Sequence, residues 1–235
     1  MRKTFLIIGL FTLFSAHAFD NASATHFKEW VPHGWKLIKN AKGDLNQDGK
    51  IDAVLVLERT DPKNLKQSDD LGAPVLNLNP RRLVVLLKTT TGYNKVVDAA
   101  RFLPSENSED STCLSDPLEE GGIGVVRGLL EIDLHYWLSC GSWGVNHAKF
   151  IFRYGNERFR LIGFDTFEFM RNSGESSEYS TNFVTGKKKI TTGLNMFETT
   201  KGKVSWKKIP GNRSYFLDEM SSECNGEIKG QDWCK

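Results

Sequence analysis

The sequence predicts a mainly β fold: an antiparallel meander with few short helices, packed as a sandwich or as a propeller-like sheet. Three observations predict it. Short runs rich in Val and Leu recur at 52–58, 82–88 and 93–97, with Gly or Asn beside them. The run from Leu129 to His135 alternates apolar and polar residues, which suits a strand with one buried face. Two aromatic-rich or lysine-rich runs fold back on themselves around Gly-containing turns.

Taken in order, the chain opens with a segment that reads as an export signal. Arg2 and Lys3 precede an apolar run over 4–14, and Ala16-His17-Ala18 offers small residues where a signal peptidase cuts. That run is shorter than the ~20 residues a membrane-spanning helix needs, and no later segment is apolar enough to span. Residues 1–18 are therefore expected to be removed, leaving one β-rich domain over 19–235, with the polar loop at 104–120 as the place for an internal boundary. The expected destination is the periplasm or the outside of the cell.

Charge narrows the partners. The chain has 31 basic and 29 acidic residues; removing Arg2 and Lys3 with the leader leaves 29 of each. A nucleic-acid binder shows a basic surplus or stripe, so nucleic acid is not the expected partner. The cluster Lys187-Lys188-Lys189 reads as a solvated hairpin face.

The stretch Gly43-Asp44-Leu45-Asn46-Gln47-Asp48-Gly49-Lys50-Ile51-Asp52 carries the strongest chemical signal. Oxygen donors alternate at Asp44, Asn46 and Asp48, Gly49 permits a sharp turn, and Asp52 closes the loop. Calcium takes six to eight oxygen ligands; these four side chains with the Lys50 carbonyl supply several. The start matches the EF-hand pattern, but its twelfth position is Leu55, and a strand follows instead of a helix.

Past that loop, 61–70 reads as a short helix or a loop, and 104–120, rich in Ser, Asp and Glu, reads as a long surface loop. In the strand at 129–137, Leu130, Ile132, Leu134 and Tyr136 fall on one face; Glu131, Asp133 and His135 fall on the other. The runs 149–154 and 157–164 read as a hairpin turning at Gly155-Asn156. The runs 183–185 and 188–192 read as a second hairpin, turning at Gly186, and 203–207 as a last strand.

Four cysteines in an exported chain suggest disulfides. Of the three connectivities open to them, Cys113–Cys140 with Cys224–Cys234 is favoured because sequence neighbours close small loops.

The loop and the strand after it, Gly-Asp-Leu-Asn-Gln-Asp-Gly-Lys-Ile-Asp-Ala-Val-Leu-Val, resemble the repeat of FG-GAP and VCBS proteins. That resemblance implies calcium-ligand roles for Asp44, Asn46, Asp48 and Asp52, and a β-blade beginning after the loop. Those families show several copies where this chain has one. The wider layout resembles exported bacterial proteins with one such loop ahead of a C-terminal β-meander.

Catalysis is weakly signalled. His135 and His147 flank Cys140-Gly141-Ser142-Trp143-Gly144, so Cys140–His147 or Ser142–His135 are conceivable nucleophile–base pairs. The turn is not the Gly-x-Ser-x-Gly elbow. Alternating phenylalanines at strand spacing are expected in the core. Trp143, in a turn, and His147 are the candidate ligand-binding residues. The expectation is an exported calcium-binding module that binds or braces, with a protein or envelope component as partner, such as an enzyme it inhibits. A carbohydrate-binding module and a hydrolase with an unrecognised site are the alternatives.

Overall fold

A computed structural model describes residues 27–209 and 214–221. The leader, His26, Cys224 and Cys234 lie outside the described residues. The chain divides into two compact units, Met1–Trp30 and Val31–Lys235. Of the first, the described part is a 3-10 turn, Lys28–Trp30, closed by the Trp30 N–H donating to the Phe27 carbonyl at 2.9 Å.

The second unit is an antiparallel β structure of two main sheets. The smaller contains β1 (Trp35–Gly43), β2 (Asp52–Arg59), β5 (Arg81–Lys88) and β6 (Tyr93–Ala99), in the order β1-β2-β5-β6. A hairpin of β3 (Leu65–Gln67) and β4 (Val75–Asn77) is inserted between β2 and β5. The larger sheet is an uninterrupted meander. It runs β7 (Gly122–Val126), β8 (Leu129–Trp137), β9 (Gly144–Gly155), β10 (Arg158–Met170), β11 (Glu175–Asn182), β12 (Lys187–Asn195) and β13 (Lys203–Lys208).

One apolar core joins the sheets. Val54, Val56, Leu83, Val85 and Val97 from the smaller sheet meet Leu130, Ile132, Leu134, Phe150, Phe152 and Phe164 from the larger. The period-two alternation of β8 is the cause: Leu130, Ile132 and Leu134 turn inward, as the sequence predicts. Phe102, just after β6, sits edge-on to Phe150 and Phe152 with ring centroids 5.2 and 5.7 Å away. The layers close where β1 meets β7. A Cβ on Gly43 would lie 2.5 Å from the Val125 side chain, so only glycine permits that approach.

The meander differs from the expected hairpins in two places. The β9–β10 turn is Asn156-Glu157, both with positive φ (50° and 61°), not Gly155-Asn156; Gly155 ends β9. Two left-handed residues make the tight turn whose twist suits a hairpin. Residues 183–185 form a turn instead of a strand, because the Asn182 side chain accepts the Val184 and Thr185 amides and draws the chain round. The region 61–70 holds a 3-10 turn, Pro62–Asn64, capped by Asp61, and then β3.

The loop at 104–120 is a loop, tied down at three points. Cys113 forms a disulfide with Cys140, the pair favoured from the sequence. Leu114 bridges Leu138. Asp116 takes both terminal nitrogens of Arg81, at 2.6 and 2.8 Å. Arg81 in turn donates from Nε to Glu58 at 2.9 Å, in a buried pair.

Candidate functional site

Antiparallel register sets side chains from distant parts of the chain in lateral rows on the outer face of the larger sheet. One row runs Asp133, Lys149, Asp165, Ser180, Lys189 and Trp206 from β8 to β13. The next runs His135, His147, Phe167, Glu178, Thr191 and Val204. In β8, β9 and β10 these residues face outward because their neighbours at alternate positions, Leu134, Phe150 and Phe164 among them, fill the core.

A groove of about 370 Å³ lies along these rows, lined by His147, Lys149, Asp165, Phe167, Glu178 and Lys189 among others. His147 Nε2 is 2.9 Å from Asp133 Oδ1, and Lys149 Nζ lies 3.5 Å from both Glu131 and Asp133. His135 Nδ1 is 2.8 Å from Glu120, and the two imidazole rings are 5.6 Å apart. Thr191 is 7% exposed and lines the groove, yet its hydroxyl has no hydrogen-bond partner among the described residues. A buried hydroxyl left in this state costs free energy that a polar ligand would recover.

Beside the groove, the Arg171 guanidinium lies 4.0 Å over the Trp137 ring and 5.6 Å from the Trp143 ring. It is held there by the carbonyls of Leu138 and Ser142, each accepting at 2.6 Å. The disulfide at Cys140 fixes the turn that presents Trp143, which is 58% exposed.

Neither conceivable nucleophile–base pair is found among the described residues. Cys140 is in the disulfide, and the Ser142 hydroxyl accepts the Gly144 amide at 3.0 Å. His135 and His147 are neighbours on one sheet face, each with a carboxylate.

The loop between β1 and β2 is organised by its own side chains. Gln47 and Gly49 take positive φ (61° and 80°). Asp44 accepts the Asp48 and Gly49 amides at 3.1 and 2.8 Å; Asn46 also accepts the Asp48 amide, at 3.1 Å. Asp48 accepts the Lys50 amide at 2.9 Å and the Lys50 ammonium at 2.8 Å. These bonds to Lys50 hold the Asp48 carboxyl below its usual range and raise Lys50.

Asp52 stands apart from the other four predicted ligands. It is fully buried, and its oxygens accept the amides of Leu45 at 2.7 Å and Lys88 at 2.8 Å. The other side-chain donors, Asp44, Asn46 and Asp48, share one exposed loop. They comprise two carboxylates and an amide, and among the described residues no cluster of three or more His, Cys, Asp or Glu side chains is placed to hold a metal ion. Of the residues that the calcium pattern names, Asp44, Asn46, Asp48 and Lys50 thus share the loop and its internal hydrogen bonds, while Asp52 bonds to amides of Leu45 and Lys88.

Sequence reasoning singled out His147 and Trp143 but missed their partners. Asp165, Phe167, Glu178, Thr191 and Arg171 join them only through strand register and the β10–β11 turn. The spaced Asp165 and Phe167 in a strand whose other face is aromatic was the available signal. The chain matches no protein-family model, no curated protein and no solved structure.

Proposed function

We propose that this protein is an exported binding module that holds a protein partner against the outer face of its larger sheet, in the manner of an inhibitor or immunity-type protein of the cell envelope. The observation that carries this reading is the Trp137–Arg171–Trp143 stack beside the groove. Trp and Arg dominate the energetics of protein interfaces, and here the disulfide and two carbonyl hydrogen bonds fix them before any partner arrives. Rows of alternating charge next to the stack supply register for a complementary surface. Export is supported by the apolar N-terminal segment and by the disulfide, which suits an oxidising compartment. Among the described residues no helix is long and apolar enough to cross a membrane.

The test is capture from envelope extract, followed by reconstitution with the purified partner. One stoichiometric partner should be retained by the parent protein. It should be lost with Trp143→Ala and kept with Ile51→Ala, an exposed control in the loop before β2. Retention by Trp143→Ala would overturn the assignment.

The groove itself favours a second reading, a sugar chain. Phe167 offers an apolar platform, while Asp165, Glu178 and the unpartnered Thr191 hydroxyl accept or donate to hydroxyl groups. Binding to peptidoglycan fragments that is abolished by Phe167→Ala and indifferent to Trp143→Ala would select it.

Calcium is part of the proposal as a brace. The Asp44 and Asn46 oxygens already converge on the Asp48 amide, and the Asp48 carboxylate accepts the Lys50 amide beside them; a cation bound there would displace the Lys50 ammonium from Asp48. A site saturated a hundredfold above its Kd stabilises the fold by ~2.7 kcal/mol. Excess calcium should raise Tm over chelator in the parent and leave Asp48→Ala unmoved. Equal Tm in calcium and chelator would remove calcium from the account.

A further inference from the structure

The far edge of the larger sheet is chemically unlike the rest of the molecule. Between residues 187 and 208, which span β12 and β13, there are seven lysines and one acid, Glu198, a net charge of +6. The whole chain carries +2, so everything outside this ribbon sums to −4. None of the ion pairs among the described residues involves these lysines.

Strand register makes the concentration worse. Lys187 lies directly opposite Lys208, and Lys188 opposite Lys207. Like charges facing across a strand pair are destabilising. Burial, and then Lys207 opposite, push Lys188 below the ordinary lysine range. Lysines on an edge strand guard against pairing with another chain, but β13 alone forms this edge; the lysines of β12 sit inside the sheet and add repulsion with no guarding role.

Apolar groups are exposed on the same ribbon. Of the 12 large hydrophobic side chains that are exposed among the described residues, five fall within 184–206: Val184, Met196, Phe197, Val204 and Trp206. Trp206 is 63% exposed and lies across from Lys189; Phe197 is 67% exposed. Val184 sits in the turn before β12, and Met196 and Phe197 follow its other end, so apolar groups mark both ends and the middle of a cationic strip.

We infer that the β12–β13 ribbon is a docking surface for an anionic lipid membrane, with Lys187, Lys189 and Lys208, which register places on the face of Trp206, over the headgroups and Trp206, Phe197 and Met196 entering the interface. Charge complementarity is what selects this occupant: basic residues near an anionic bilayer gain attraction that a neutral surface does not give. Tryptophan set among lysines is the side-chain combination that suits the headgroup region. A soluble acidic polymer would use the lysines but gives no reason for Val184, Met196 and Phe197 to be exposed. Docking by this edge leaves the Trp143 end of the sheet free for a partner.

The experiment is co-sedimentation of the full chain with vesicles of phosphatidylcholine alone and of phosphatidylcholine mixed with phosphatidylglycerol. The excess on anionic over neutral vesicles is the readout, and because parent and variants carry the same N-terminal segment with Arg2 and Lys3, its contribution cancels between them. At low salt the excess should be at least about tenfold, and it should collapse as salt is raised. The variant Lys207→Glu/Lys208→Glu converts both like-charge pairs into opposite-charge pairs, so it folds with unchanged or higher Tm, and it should bring partition on anionic vesicles down to that on neutral ones. Trp206→Ala should lower partition on anionic vesicles by a smaller factor, about fivefold. No excess on anionic vesicles would overturn the inference, as would an excess that survives the double reversal. Binding to dextran sulfate without binding to anionic vesicles would overturn it in favour of an acidic polymer.

Discussion

The two sheets share one core but use their polar residues in opposite ways. In the smaller sheet the charged groups that matter are buried and satisfied: Glu58, Arg81 and Asp52 are all 2% exposed or less and fully engaged. In the larger sheet charged groups line an open groove, and the Thr191 hydroxyl beside them has no partner among the described residues. Buried pairs of the first kind cost much to break and do little for recognition. Half-exposed groups of the second kind cost little to remove and are available to a ligand. The smaller sheet and its loops hold the fold; the larger sheet presents a surface.

The sharpest way to break that division is at Arg81. Its guanidinium bonds Glu58 and Asp116, tying β2, β5 and the 104–120 loop together. Arg81→Ala leaves Asp116 without its cation and Glu58 with Lys36 alone, and loss of one partner from a buried pair costs about 3–5 kcal/mol. Urea unfolding should show that loss, while partner binding measured at low temperature on the folded fraction stays as in the parent. A loss of stability below about 1 kcal/mol would mean the network is peripheral.

Asp52 gives the next largest effect. Asp52→Ala orphans the amides of Leu45 and Lys88, each worth about 1–3 kcal/mol when buried without a partner. The cost should be the same in calcium and in chelator, because Asp52 is fully buried and its two oxygens already serve the Leu45 and Lys88 amides. If chelator erased the difference between Asp52→Ala and parent, Asp52 would be a ligand after all.

The same network sets the response to acid. Burial alone would push the Glu58 carboxyl up, but Lys36, Arg81 and Asn77 outweigh it and hold it below its ordinary 4.5. A depressed folded-state value means stabilisation that is complete above pH 4.5 and drains away as pH falls through the folded value. Tm should therefore decline below that pH, and Glu58→Gln should flatten the decline while lowering Tm at neutrality. An unchanged acid slope in Glu58→Gln would place the titrating group elsewhere.

How much of this was legible in the chain follows from the same contrast. Dense Val and Leu made β2, β5 and β6 readable, and strict alternation made β8 readable. β1 was missed because lysines and Asn40 interrupt it and a bulge after Leu37 breaks its period. β7, Gly-Ile-Gly-Val-Val, is short and rich in glycine, and β11, Glu-Ser-Ser-Glu-Tyr-Ser-Thr-Asn, has too few apolar residues to announce a strand. The Cys113–Cys140 pair was legible from spacing. The groove was not, since Asp133, His147, Phe167 and Glu178 become neighbours only once four strands are in register. The calcium pattern was legible as a row of oxygens, but which oxygen turns inward depends on Lys88, thirty-six residues away from Asp52.

The smallest expected change in stability is also the most informative about function. Phe167→Ala and Asp165→Asn alter half-exposed side chains on the outer face, away from the inward-facing core of Phe150, Phe152 and Phe164. Surface substitutions of this kind shift stability by about 0.5 kcal/mol or less, so Tm should scarcely move. Ligand affinity should fall in both, more steeply for Phe167→Ala, because it removes the apolar platform that a ligand would cover. Calorimetry with the reconstituted partner or the sugar fragment reads this directly. A pair of variants that unfold more readily but bind as the parent does would reverse the roles assigned to the two sheets, making the outer face of the larger sheet a part of the scaffold.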